Sequence, residues 1–362
     1  MNRMELGTIA AEFPPVLEEK NPRNSEGAFL MLQDGRIIFV YGRFKGENWA
    51  DHAPADICLV TSEDGGHSFG NGRIVLTCEE EKAVNIMSLS LMNMTNGDIG
   101  LFYLVRGTYT LMQMYLRRSS DGGQTWSERV LCTPQEGFFV VNNDRVTRLS
   151  DGRILVPAAC HRTGDSFFDS RSEVVFFYSD DDGATWNCSE GKCCMPHLSG
   201  CTSGLQEPGV LELAAGVIWC WSRTDLGRQY EMFSVDNGNT WTAAQPSRFT
   251  SPNSPLCMKR DEKGRIYAIW NPIPEYNGRE KTKVFTGGRT PYVIAVSRDN
   301  GKSFSEPAAF ETDENSGYCY CAILFTEEAM LLGYNAGGPE DGSCLARTRI
   351  RRIPLSQLEK IG

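Results

Sequence analysis

Four arginines, two tyrosines and a few carboxylates carry spacings that chemistry could use. Arg223 follows Glu207 by sixteen residues, and Arg289 precedes Asp299 by ten. Tyr318 and Tyr320 share the segment Ser316-Gly-Tyr-Cys-Tyr-Cys-Ala-Ile323. Nearer the start stand Arg23, Glu26, Arg43 and Asp51. The chain has a net charge of −10, so an anionic ligand must be captured by a local cluster of arginines. Guanidiniums do this with charge-assisted, partly bidentate bonds to a carboxylate. Glu26, three residues after Arg23, could pair with such a guanidinium and orient it. A further polar group, Asn142-Asn-Asp-Arg145 and Cys160-His-Arg162, flanks a hairpin. Asn143, Asp144, Arg145, His161 and Arg162 could face one mouth and contact a polar ligand, or they could simply form turns.

Other chemistries find no support. The four histidines, His52, His67, His161 and His197, lack the clustered spacing of a zinc site. No nucleophile elbow supports a Ser-His-Asp arrangement, and no glycine-rich loop would cradle a phosphate. Neither a metal nor a cofactor is expected.

The elements that must position these residues announce themselves as a repeat. Ser62-Glu-Asp-Gly-Gly-His-Ser-Phe69 recurs as Ser119-Ser-Asp-Gly-Gly-Gln-Thr-Trp126, Ser179-Asp-Asp-Asp-Gly-Ala-Thr-Trp186, Ser234-Val-Asp-Asn-Gly-Asn-Thr-Trp241 and Ser297-Arg-Asp-Asn-Gly-Lys-Ser-Phe304. The period is near sixty residues, which means one supersecondary unit used repeatedly. Ser and Asp side chains hold a tight turn by bonding backbone N–H groups. The Gly supplies a positive φ, and the last ring is expected between neighbouring sheets. Asp34-Gly35, Asn96-Gly97, Asp151-Gly152 and Lys263-Gly264 precede apolar runs and read as hairpins. No long segment has helical periodicity.

This pattern is the Asp-box, and the chain resembles the sialidase superfamily of β-propellers. The resemblance implies an all-β fold, a six-bladed propeller of four-stranded antiparallel sheets, with residues 1–362 forming one domain. Five boxes leave the sixth blade to be closed by residues 7–13 beside 344–354. The likeness extends to Pro22-Arg23, Tyr41-Gly42-Arg43, Asp51, Glu207-Pro-Gly-Val-Leu-Glu-Leu213, Arg223 and Arg289. By this resemblance Arg23, Arg223 and Arg289 bind the carboxylate of an acidic sugar, with Arg43 as a further member or a replacement for Arg23. Asp51 is the acid/base and Glu207 the base of a tyrosine nucleophile. Tyr320 has the better local match for that nucleophile, and Tyr318 competes. A regular strand would point both to one face. A neutral tyrosine suits an anionic substrate, which would repel a carboxylate nucleophile.

The expected activity is a retaining exo-glycosidase acting on a terminal acidic sugar, sialic acid first. A keto-deoxy acid or a uronate would suit the same clamp, the latter with elimination in place of hydrolysis. The rival reading is a non-catalytic propeller that binds glycans. The acidic balance argues against nucleic acid and anionic membrane as partners. The thirteen cysteines show no disulfide framework. The start Met1-Asn-Arg-Met-Glu-Leu lacks the apolar stretch of a signal peptide, so a cytoplasmic location with reduced thiols is expected.

Overall fold

Each Asp-box ends the third strand of a four-stranded antiparallel unit. The computed structural model describes residues 2–164, 167–196, 198–275 and 284–361. Unit one comprises Asn24–Met31, Ile37–Phe44, Ala55–Ser62 and Arg73–Leu76. Unit two begins at Asn85–Asn93, unit three at Thr147–Arg148, unit four at Gln206–Ala214, unit five at Cys257–Arg260 and unit six at Cys319–Phe325. The outermost strand of unit six is Thr8–Phe13, which pairs antiparallel with Thr348–Pro354. The expected union of the chain's two ends is therefore present. Two strands were not anticipated. Asn2–Arg3 pairs parallel with Ala308–Glu311 and makes the sheet of unit five five-stranded. Phe138–Val140 pairs with Ile154–Gly164 and meets Met112, merging units two and three into one nine-stranded sheet.

The boxes are small bonding circuits. Ser62 Oγ donates to Asp64 Oδ1 at 2.8 Å and accepts from the Gly66 N–H at 2.9 Å, while Ser68 Oγ donates to Asp64 Oδ2 at 2.6 Å. The same three bonds recur in the other four boxes. The box rings pack against the preceding unit, as expected. Trp186 meets Phe102 edge-on at 6.1 Å, Trp241 stacks on Phe176 at 4.0 Å, and Phe304 meets Phe249 at 5.2 Å.

Strand alternation buries both faces of every sheet. In unit one Ile38 and Val40 face unit two, while Ile37 and Phe39 face unit six. Six apolar clusters fill the spaces between successive units, and one of them joins unit six back to unit one.

Candidate active site

The boxes lie at one end of the units and a cavity at the other. Ile37 pairs with Ser62 at the box end, and Phe44 with Ala55 at the opposite end. The connections from second to third strands therefore emerge away from the boxes. A cavity of about 660 Å³ opens there, within the range of small-ligand sites. All six units contribute from these connections or the strand ends beside them: Asp51, Arg106, His161, Arg223, Arg289 and Leu345.

First strands supply the floor. Glu26, Ser88, Glu207 and Tyr320 line the cavity, with φ of 61°, 55°, 47° and 57°. Each sits at a break in strand register. A β-bulge of this kind re-aims a side chain. The left-handed conformation costs a non-glycine residue about 1–2 kcal/mol, so the surrounding sheet must hold all four. Asn143 takes part in this for Tyr320, donating its Nδ2 to the carbonyls of Tyr320 at 3.1 Å and Gly27 at 2.8 Å.

Tyr320, Glu207 and Arg223 form the central constellation. Tyr320 Oη donates to Glu207 Oε1 at 2.9 Å. Arg223 Nη1 lies 2.7 Å from the same oxygen and 3.3 Å from the phenol. Glu207 Oε2 is buried and has no partner among the described residues. Burial, then the neighbouring Glu207, pushes the Tyr320 phenol well up, with Arg289 and Arg223 opposing. The phenol thus rests neutral, with a carboxylate placed to take its proton. Arg223 Nε and Arg289 Nη2 both bond Asn253, at 2.5 and 3.3 Å, which holds the two guanidiniums side by side. Arg289 also donates to Cys319 Sγ at 3.1 Å.

Arg23 stands one layer back, fully buried, over the Phe44 ring. It donates to Asp51 Oδ1 at 2.6 Å and to Glu26. Glu26 also accepts from Ser88 Oγ at 2.5 Å. Burial pushes Glu26 up to about 7 against the pull of Arg23. At Asp51 desolvation in the cleft acts upward, but Arg23, then Arg289 and Arg223, hold the carboxyl below its ordinary range.

The family described as BNR repeat-like domain matches residues 55–332. The chain belongs to that family. It is a BNR-repeat member of the sialidase superfamily. A sialidase of Bacteroides fragilis is 25% identical over 235 residues, covering 62% of this chain and 39% of the relative. Sialidase-3 of Rattus norvegicus is 30% identical over 135 residues, covering 33% of this chain and 31% of that protein. The chain thus spans about two fifths or less of the length of these relatives. The solved NanB sialidase of Streptococcus pneumoniae superposes with a TM-score of 0.70 at 13% identity, covering 98% of this chain and 71% of that one. At that identity the likeness is one of fold.

Within this BNR-repeat chain the structure departs from the sequence reading at several residues. Tyr318 does not share a face with Tyr320. The bulge at Tyr320 breaks the two-residue alternation, and Tyr318 packs among Tyr292 and Tyr334 in an apolar cluster. Arg43 turns outward to Glu19 at 2.6 Å and does not join the other arginines. Arg162 is exposed and pairs with Asp169 at 2.5 Å, while its neighbour His161 lines the cavity and stacks on Phe168. Asp144 accepts from the Ile323 N–H at 2.9 Å, and Arg145 donates to the Leu256 carbonyl at 2.7 Å, both behind the cavity. They tie first strands together instead of facing a sugar. Ser88, Arg106 and Asn253 escaped the sequence reading. An Arg ending an apolar strand, as in Ile99–Arg106, was the one available signal.

Proposed function

We propose that the six units close into a six-bladed β-propeller forming one domain over residues 1–362, and that its cavity is the active site of a retaining exo-glycosidase. The substrate is a terminal acidic sugar, with sialic acid the first choice, and no cofactor takes part. The observation that carries this reading is the Tyr320 phenol, 2.9 Å from Glu207 and 3.3 Å from Arg223. The sialidases among its relatives support the substrate class.

Arg223 and Arg289, which line the cavity, clamp the sugar carboxylate, and Arg23 supports the clamp from one layer back. Glu207 takes the phenolic proton as Tyr320 Oη bonds to the anomeric carbon, and Asp51 gives its proton to the departing oxygen. Water then attacks the same carbon and yields a proton to Asp51, while the phenol leaves and recovers its proton from Glu207. Asp51 must hold a proton for the first step, yet Arg23 holds its carboxyl low. The arriving substrate carboxylate engages Arg289 and Arg223, which also hold Asp51 low, and its own charge raises the proton affinity of Asp51. Binding and readiness of the acid are thereby linked.

A screen of fluorogenic acidic glycosides, followed by trapping with a fluorinated analogue and peptide mapping, tests the reading. Adduct on Tyr320 is expected. Absence of turnover with every acidic glycoside, or adduct elsewhere, overturns it.

A further inference from the structure

Among the described residues, Arg106 is the cavity guanidinium that no hydrogen-bond acceptor is seen to engage. It ends the strand Ile99–Arg106 and lies in the cavity wall. Its Nε is buried without a hydrogen-bond partner among the described residues, and no described carboxylate pairs with it. Arg23, Arg223 and Arg289 all donate to protein acceptors. The Arg106 guanidinium instead lies over two rings, 5.3 Å from Tyr109 and 5.3 Å from Phe138. Such stacking fixes its plane and leaves its donors unspent. The wall around it, Met87, Leu104 and Met112, offers no acceptor. Burial disfavours the partly desolvated guanidinium, the charge of Asp51 offsets this only in part, and an incoming anion removes more of the cost.

Its position says where the anion sits. Tyr109 meets the His52 ring at 6.5 Å, next to Asp51, so Arg106 stands on the side of Asp51. In the glycosidase reading, on which this inference rests, Asp51 acts on the leaving oxygen. Arg106 therefore faces what that oxygen belongs to.

We propose that Arg106 binds an acidic group on the leaving side, so that the preferred substrate is a glycan in which the cleaved acidic sugar is joined to a second acidic sugar. Two disaccharides test this: the cleavable acidic sugar linked to an acidic sugar, and the same sugar linked to a neutral one. The ratio of their kcat/KM values is measured for the wild type, Arg106→Met and Arg106→Lys, with melting temperatures as folding controls. The wild type should prefer the acid-linked substrate by about tenfold or more, as a charge-assisted bond warrants. The preference should shrink toward unity in Arg106→Met and persist in part in Arg106→Lys. A wild-type ratio near unity, or a preference that survives Arg106→Met, overturns the proposal. If Arg106→Met does not fold, loss of the wild-type preference in high salt replaces it, and a preference insensitive to salt overturns the proposal. If neither disaccharide is cleaved, the glycosidase reading falls, and calorimetric binding of the same pair decides this one by the same ratio.

Discussion

Replacing Glu26 by Gln should change how stability depends on pH. The Glu26 carboxyl is buried between Arg23 and Ser88, and Asp51 and Glu207 lie near enough to push it further up. Its pKa is about 7 against an ordinary value of 4.5. Between those two values the folded protein holds a proton that the unfolded chain has released. Stability from this group is therefore complete below pH 4.5 and is lost as pH rises through 7. At 1.36 kcal/mol per pH unit the loss amounts to about 3 kcal/mol. Gln keeps the shape, still accepts from Arg23, and lets the Ser88 hydroxyl reverse its role, but it cannot titrate. Urea denaturation of both proteins from pH 4.5 to 8 reads the difference directly, since every other titrating group is common to both. The wild type should lose about 3 kcal/mol relative to Glu26→Gln across that interval. Parallel curves would refute the reasoning and mark Glu26 as an ordinary carboxylate held ionised by Arg23.

Tyr320→Phe should lower turnover by at least about 10³-fold, or about 4 kcal/mol of barrier, while calorimetry still detects the sugar; unchanged turnover would exclude Tyr320 as nucleophile. Tyr318→Phe should leave the kinetics as they are and move the melting temperature only slightly, because its ring packs among Tyr292 and Tyr334. Asp51→Asn should slow substrates with poor leaving groups far more than activated aryl glycosides, which need less proton transfer; equal losses on both, measured as kcat/KM, would remove Asp51 from the acid's role. Trp186→Ala empties a nearly buried site against Phe102 and should cost about 3–5 kcal/mol by denaturant titration, without changing affinity in the protein that remains folded.

What the sequence made legible was whatever local chemistry fixes. A box is written in eight consecutive residues, since its bonds run from Ser62 and Asp64 to N–H and hydroxyl groups within four positions. Its period therefore revealed the repeating unit and the end of each third strand. Glu207 with Arg223 was legible for a similar reason, because the two lie on adjacent strands joined by a short hairpin. The bulged backbone of the cavity floor was hidden. A bulge depends on pairing with a strand elsewhere in the chain, so nothing in Cys319-Tyr-Cys-Ala says that Tyr320 will take a left-handed conformation. Strand alternation then assigned Tyr318 and Tyr320 to the same face, and the bulge separates them. Arg43 and Arg106 show the converse limit. Arg106 ends a second strand and Arg43 is the last residue but one of another, and only the partners that the fold supplies, the Glu19 carboxylate for Arg43 and the Tyr109 and Phe138 rings for Arg106, decide which of them looks into the cavity.

The separation of boxes from cavity has a consequence for how such a protein can change. Each unit delivers to the cavity wall through the stretch between its second and third strands, while its fastening turn lies at the far end. A substitution in one such stretch alters one sector of the wall and leaves the remaining sectors and all five fastenings in place. The specificity of the site is thus modular in sixths. Exchanging the stretch between Arg106 and Met112 for that of a relative should transplant one sector's preference, much as a single key is recut at one notch.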